Sequence, residues 1–96
     1  MSIHYTSIGE GPPLLLLHAT LSSSHQLRTL ASRLARRHTV VSVDRRGSGR
    51  SAVDGPAEPI EVGRHVADLV EIAQREDLSS LTVVGHSYGG CLALEL

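Results

Sequence analysis

Two hydrophobic periods alternate along the chain. Ile3 to Ile8 mixes β-branched and polar residues, and Gly9-Glu10-Gly11-Pro12-Pro13 then reads as a turn. Leu14-Leu15-Leu16-Leu17 is a short unbroken apolar run, the pattern of a strand buried on both faces. Leucine alone does not separate strand from helix, but the Pro pair before the run and the polar loop after it hold it to strand length. From Ser22 a helical period takes over. Ser23 and Gln26 stand at capping-box spacing, and Leu27, Leu30, Ala31, Leu34 and Ala35 form an apolar stripe ending near His38. Thr39-Val40-Val41-Ser42-Val43 is a second β-branched strand. Residues Asp44 to Pro59 hold three Gly and two Pro and read as loop. Val62, Val66, Leu69, Val70 and Ala73 mark a second amphipathic helix, ending around Glu76-Asp77. Leu81-Thr82-Val83-Val84 is a third strand, and a third helical segment follows Gly85 to Gly90.

Strand and helix thus alternate three times. That order predicts an α/β protein: three layers, a parallel sheet with flanking helices, and right-handed crossovers.

Composition narrows the functional classes. The 96 residues are 41% apolar and 20% charged, a globular balance at the size of one small domain. The net charge of −1 gives no electrostatic footprint for nucleic acid or an anionic membrane, so neither is expected as a partner. Two Tyr are the only aromatic rings, which excludes a base-stacking platform. Cys91 is the single cysteine, so no internal disulfide framework exists and a reducing compartment is the default. The amino end lacks a basic segment followed by a long apolar core, so no signal peptide is expected. The longest aliphatic run has four residues, whereas a membrane span needs roughly 20. A cytoplasmic protein is the expectation. Six histidines at 4, 18, 25, 38, 65 and 86 show no metal-ligand spacing, and no metal or cofactor is expected.

Chemistry concentrates at Gly85-His86-Ser87-Tyr88-Gly89, which matches G-x-S-x-G. A serine on a sharp strand-to-helix turn occupies a strained backbone conformation, and its neighbours pass close to the adjoining strand and helix. Small residues two before and two after relieve that crowding, the work expected of Gly85 and Gly89. The helix beginning there aims free amides at a reacting carbonyl. Alone the pattern is weakly specific, and its bland reading is a glycine-rich turn whose serine caps the helix. Its position after a β-branched run and before a helix is the context it requires.

Three stretches together resemble the amino-terminal part of the α/β-hydrolase fold superfamily. They are Leu14-Leu15-Leu16-Leu17-His18, Asp44-Arg45-Arg46-Gly47-Ser48-Gly49-Arg50-Ser51 as a D-x-R-G-x-G-x-S loop, and Gly85 to Gly90 as a G-x-S-x-G-G elbow. The resemblance covers essentially the whole chain. It implies Ser87 as nucleophile, with the backbone N–H of Tyr88 and that of Thr20 or Ala19 as oxyanion-hole donors. The family usually has His-Gly where this chain has His18-Ala19. His18 is expected as a packed loop histidine, His86 as pointing away from the reaction centre, and Cys91 as a small buried residue under the elbow.

Gly47-Ser48-Gly49-Arg50-Ser51-Ala52 also matches a dinucleotide fingerprint, but Asp54-Gly55-Pro56 and Pro59 keep the chain in a loop where a phosphate-binding helix would begin. Arg45, Arg46 and Arg50 are instead expected to be solvated or paired with Asp44.

An elbow serine needs a base and an orienting carboxylate, which in this fold follow the nucleophile in chain order. No histidine follows Ser87, and Glu95 is the only acid. The resemblance therefore implies that residues 1–96 are the amino-terminal part of one domain, with its remaining carboxyl-terminal part as a partner. It implies a serine hydrolase acting on a small-molecule ester, lactone, thioester or amide, with perhydrolase or acyl-transfer chemistry on the same serine as variants. A serine at this position disfavours the family's dehalogenases and epoxide hydrolases, which use a carboxylate there. The alternatives are a non-catalytic binding protein on the same fold and an inactive truncated product.

Overall fold

A computed structural model describes residues 3–19, 22–51, 62–76 and 82–96. Thr20, the stretch 52–61, Asp77 and Leu81 lie outside these residues. Among the described residues four strands form one sheet: β1 (Tyr5–Ile8), β2 (Pro13–Leu17), β3 (Thr39–Val43) and β4 (Thr82–Gly85), in the order β1-β3-β2-β4. Strand β2 lies parallel to β3, with Leu14 opposite Val40 and Leu17 opposite Val43, and parallel to β4, with Leu17 opposite Gly85. These are the three strands that the apolar runs predict. The stretch at Ile3–Ile8 adds a fourth, which pairs antiparallel with β3. The connection to β2 is too short for a parallel crossover, so β1 returns antiparallel at the edge. Its mostly exposed residues fit that place.

The side-chain period of two divides the leucine run between two cores. Leu15 and Leu17 pack with Val41, Val43, Leu69, Ile72 and Leu92 on one face. Leu14 and Leu16 pack with Ala31 and Val40 on the other. The first core is covered by helices α2 (Val62–Arg75) and α3 (Tyr88–Glu95), the second by α1 (Arg28–Leu34). This is the layered α/β architecture the sequence predicts.

Two helix details differ from the pattern. The first helix opens as a 3₁₀ turn at Ser24–Leu27, and the Ser23 side chain makes no capping bond. The carboxylate of Asp44 takes that role from the end of β3, accepting the Ser24 N–H at 2.7 Å. In α2 the buried face is His65, Asp68, Leu69 and Ile72, while Val62 and Val70 are exposed. The stripe is rotated because two polar residues find partners inside. Asp68 receives a two-pronged hydrogen bond from Arg46 at 2.9 and 2.8 Å, and His65 meets Tyr88 edge-on.

Candidate active site

Strand β4 delivers the chain to Ser87, the one non-glycine residue with positive φ among those described, at φ 56° and ψ −115°. That conformation lies outside the regions open to ordinary L-residues and costs on the order of 1–3 kcal/mol, so the surroundings must impose it. Two close approaches do so. A Cβ on Gly85 would collide with the backbone of Gly89 and Gly90, and one on Gly89 would collide with the carbonyls of Leu17 and His18. The His86 N–H donates to the Leu17 carbonyl at 3.0 Å, extending the β2–β4 ladder into the turn. The Ser87 carbonyl accepts the Gly90 N–H at 2.8 Å and closes the first turn of α3. Ser87 and His86 are both exposed.

The elbow is thereby pressed against the segment Leu17-His18-Ala19 that leaves β2. Of the residues expected to supply the second oxyanion donor, Ala19 is half-buried beside this contact and Thr20 lies outside the described residues. His18 is fully buried and ties two loops together. Its Nδ1–H donates to the Ala19 carbonyl at 2.7 Å, and its Nε2 accepts the Arg45 N–H at 3.1 Å. That pattern assigns the neutral tautomer protonated on Nδ1. Burial holds its pKa below the ordinary histidine value against the Ala19 hydrogen bond, and the Arg45 charge adds to the depression.

The loop after β3 is cross-tied around Asp44. Besides Ser24, its carboxylate accepts the Arg50 N–H at 3.0 Å, and its carbonyl accepts the Ser51 hydroxyl at 2.6 Å. Ser51 Oγ in turn accepts the His4 N–H at 2.8 Å. Gly49, at φ +49°, passes so close that a Cβ would stand 2.7 Å from the Asp44 Cγ. Burial raises the Asp44 pKa, but the hydrogen bonds to Ser24 and Arg50 outweigh it and hold the carboxyl below its usual value. Asp44, Gly49 and Ser51 of the loop's signature are thus occupied in holding the loop.

Two expectations are corrected here. Arg45 is neither solvated nor paired with Asp44: it is buried, with its guanidinium 4.7 Å from the Tyr88 ring centre. Arg46 pairs with Asp68 rather than Asp44. Asp44 has spent its oxygens on amides, so the arginines turn to other partners. Cys91 is exposed rather than buried under the elbow. Helix α3 buries Gly89 and Leu92, and Cys91 sits about 100° around the helix from Leu92 and about 200° from Gly89.

His65 escaped the sequence analysis as a site neighbour. It is buried with Nδ1 unpartnered among the described residues, and its ring stands 6.0 Å from that of Tyr88. Burial, then the Arg45 charge, lower its pKa. Nothing local in the sequence marks it, because its partner lies 23 positions away. A cavity of about 430 Å³ opens elsewhere, between β1 and α1, lined by His4, Ser24, Arg28, Asp44 and Arg50 and not by Ser87. Among the described residues no cluster of three His, Cys, Asp or Glu stands ready for a metal ion, and no helix is long and apolar enough to cross a membrane. No hydrogen bond joins Ser87 to a histidine among them.

The geometry can be set beside known proteins. The family model for the alpha/beta hydrolase fold matches residues 12–96. The chain belongs to the α/β-hydrolase fold family. It is 32% identical over 91 residues to a soluble epoxide hydrolase of Corynebacterium sp. strain C12, covering 95% of this chain and 31% of that protein. Among solved structures it superposes on an esterase from Exiguobacterium antarcticum with a TM-score of 0.86 at 31% identity, covering 97% of this chain and 34% of the other. A third likeness is to Est816, described as an N-acyl homoserine lactone degrading enzyme, with a TM-score of 0.87, 31% identity, and coverage of 98% and 36%. The chain spans about a third of the length of each of these relatives.

Proposed function

We propose that this chain carries the nucleophile and oxyanion-hole portion of a serine hydrolase acting on a small-molecule ester, lactone, thioester or amide. The single observation that supports this reading is the positive-φ Ser87 held between Gly85 and Gly89 at the mouth of α3. A hydroxyl so displayed is free to attack an acyl carbon. The oxyanion donors of this reading are the amide of Tyr88, first in the helix, and that of Ala19 or Thr20. The serine proton passes to a histidine base oriented by a carboxylate, and that base then protonates the leaving group. In the chain order this fold uses, the carboxylate and the histidine base follow the nucleophile. Water hydrolyses the acyl-enzyme in a second cycle of the same groups.

Names among the relatives point to both epoxide and ester chemistry. A serine rather than a carboxylate at position 87 favours the acyl branch. The test is labelling by a fluorophosphonate probe of the protein produced from its native gene, followed by the Ser87→Ala variant. Labelling abolished by the substitution supports the reading. An unlabelled parent favours the second reading, a non-catalytic binding protein on this fold.

A further inference from the structure

Arg45 is 4% exposed, yet no carboxylate among the described residues meets it, and its Nε has no hydrogen-bond partner among them. Burying a guanidinium is costly, so the contacts that receive it matter. Two contacts define that place. The guanidinium lies over the Tyr88 ring, its Cζ 4.7 Å from the ring centre, well inside cation–π range. Its Nη2 stands 3.4 Å from His18 Nδ1, and its backbone N–H donates to His18 Nε2 at 3.1 Å. One residue therefore grips both the residue after Ser87 and the residue before Ala19. His65 closes the arrangement from α2, meeting the Tyr88 ring edge-on at an interplanar angle of 76°.

We propose that Arg45 is a positioning residue that sets the spacing of the two oxyanion donors, acting through the Tyr88 ring and the His18 imidazole. This rests on the serine-hydrolase reading above, which places those donors at Tyr88 and at Ala19 or Thr20. The two donors come from different loops, one after β4 and one after β2. Backbone contacts at His86 and Gly89 seat the elbow against the end of β2, and a side-chain tie between the two loops fixes the freedom that remains. Arg45 supplies that tie, with its guanidinium over the Tyr88 ring and its backbone N–H held by His18 Nε2. Oxyanion donors act over a narrow range of distance, so a small drift of either loop costs rate rather than affinity.

The experiment uses the protein produced from its native gene, with p-nitrophenyl acetate turnover and fluorophosphonate labelling as readouts. Arg45→Met should lower kcat and the labelling rate about 10- to 100-fold while KM stays within about threefold. Arg45→Lys, which keeps a cation over Tyr88, should recover most of the loss. Tyr88→Leu should reproduce the loss with Arg45 intact, and it carries the test if Arg45→Met fails to fold. The Arg45→Met/Tyr88→Leu double variant should be no slower than the slower single variant, because both remove one clamp. Parental rates in Arg45→Met or Tyr88→Leu, or multiplying losses in the double variant, overturn the proposal while leaving the hydrolase reading in place. An unlabelled parent overturns both.

Discussion

The two halves of the sheet are held in different ways. Around β2 and β3, Leu14 to Leu17, Val40, Val41 and Val43 are at most 2% exposed, and the loop after β3 is knotted around Asp44. Around β4 and α3, Val83 and Val84 are only half-buried and Leu94 is 88% exposed. Within residues 1–96 the candidate nucleophile stands on the thinner half. Its backbone is nevertheless pinned, because the His86 N–H bonds the Leu17 carbonyl and Gly89 lies close against the Leu17 and His18 carbonyls. The difference teaches that the strained turn draws its rigidity from the dense half across a backbone contact, with little help from side-chain burial around it.

That contrast can be broken from either side. Leu17→Ala should cost about 4 kcal/mol, against about 1 for Val83→Ala at the outer strand, measured by urea unfolding. Equal losses would show that the two halves are equally packed. Gly89→Ala should cost about 3 kcal/mol, since the new Cβ meets the Leu17 and His18 carbonyls, and backbone cannot step aside as a side chain can. A neutral result by the same measurement would mean the elbow floats free of β2. Asp44→Ala should cost about 2 kcal/mol by leaving the Ser24 and Arg50 amides without acceptors, and hydrogen exchange at those two amides should quicken. Ser87→Gly should raise stability by about 1 kcal/mol as the positive-φ strain is relieved, while ending any labelling. Unchanged or lower stability would place the strain elsewhere.

The gentlest effect is that of pH. His18 and His65 are both held below the ordinary histidine value of 6.5, chiefly by burial. The unfolded chain therefore takes up protons first, so stability is full above about pH 6.5 and declines as the pH falls from there toward the folded values. Asp44, also depressed, adds its own loss only at more acid pH, below about 3.8. Urea midpoints between pH 8 and 5 should trace the histidine decline, and a flat profile would contradict it.

Much of the fold was legible because its signals are local. The leucine run, the β-branched runs and the turn residues each announce their element within a few positions, and the G-x-S-x-G spacing marks the elbow without knowledge of its surroundings. The helix stripes were read less well. A stripe read from apolar residues alone misses a buried His65 and Asp68, whose partners are Tyr88 and Arg46. Cys91 was misplaced for a related reason: a helix whose residues are nearly all small or apolar does not tell from its sequence which side the sheet will cover.

By itself, then, the sequence determined the order of the three parallel strands and the three helices, the division of Leu14 to Leu17 between two cores, and the need for glycine on both sides of Ser87. These depend on side-chain period and backbone sterics, which act over one or two turns of chain. Only the tertiary structure decided that β1 pairs antiparallel with β3, that Asp44 caps the first helix across 20 residues, and that Arg45 settles on Tyr88 beside His18. Those choices are made by polar groups that must find partners once water has been removed, and a partner's distance in space leaves no mark in the sequence between them.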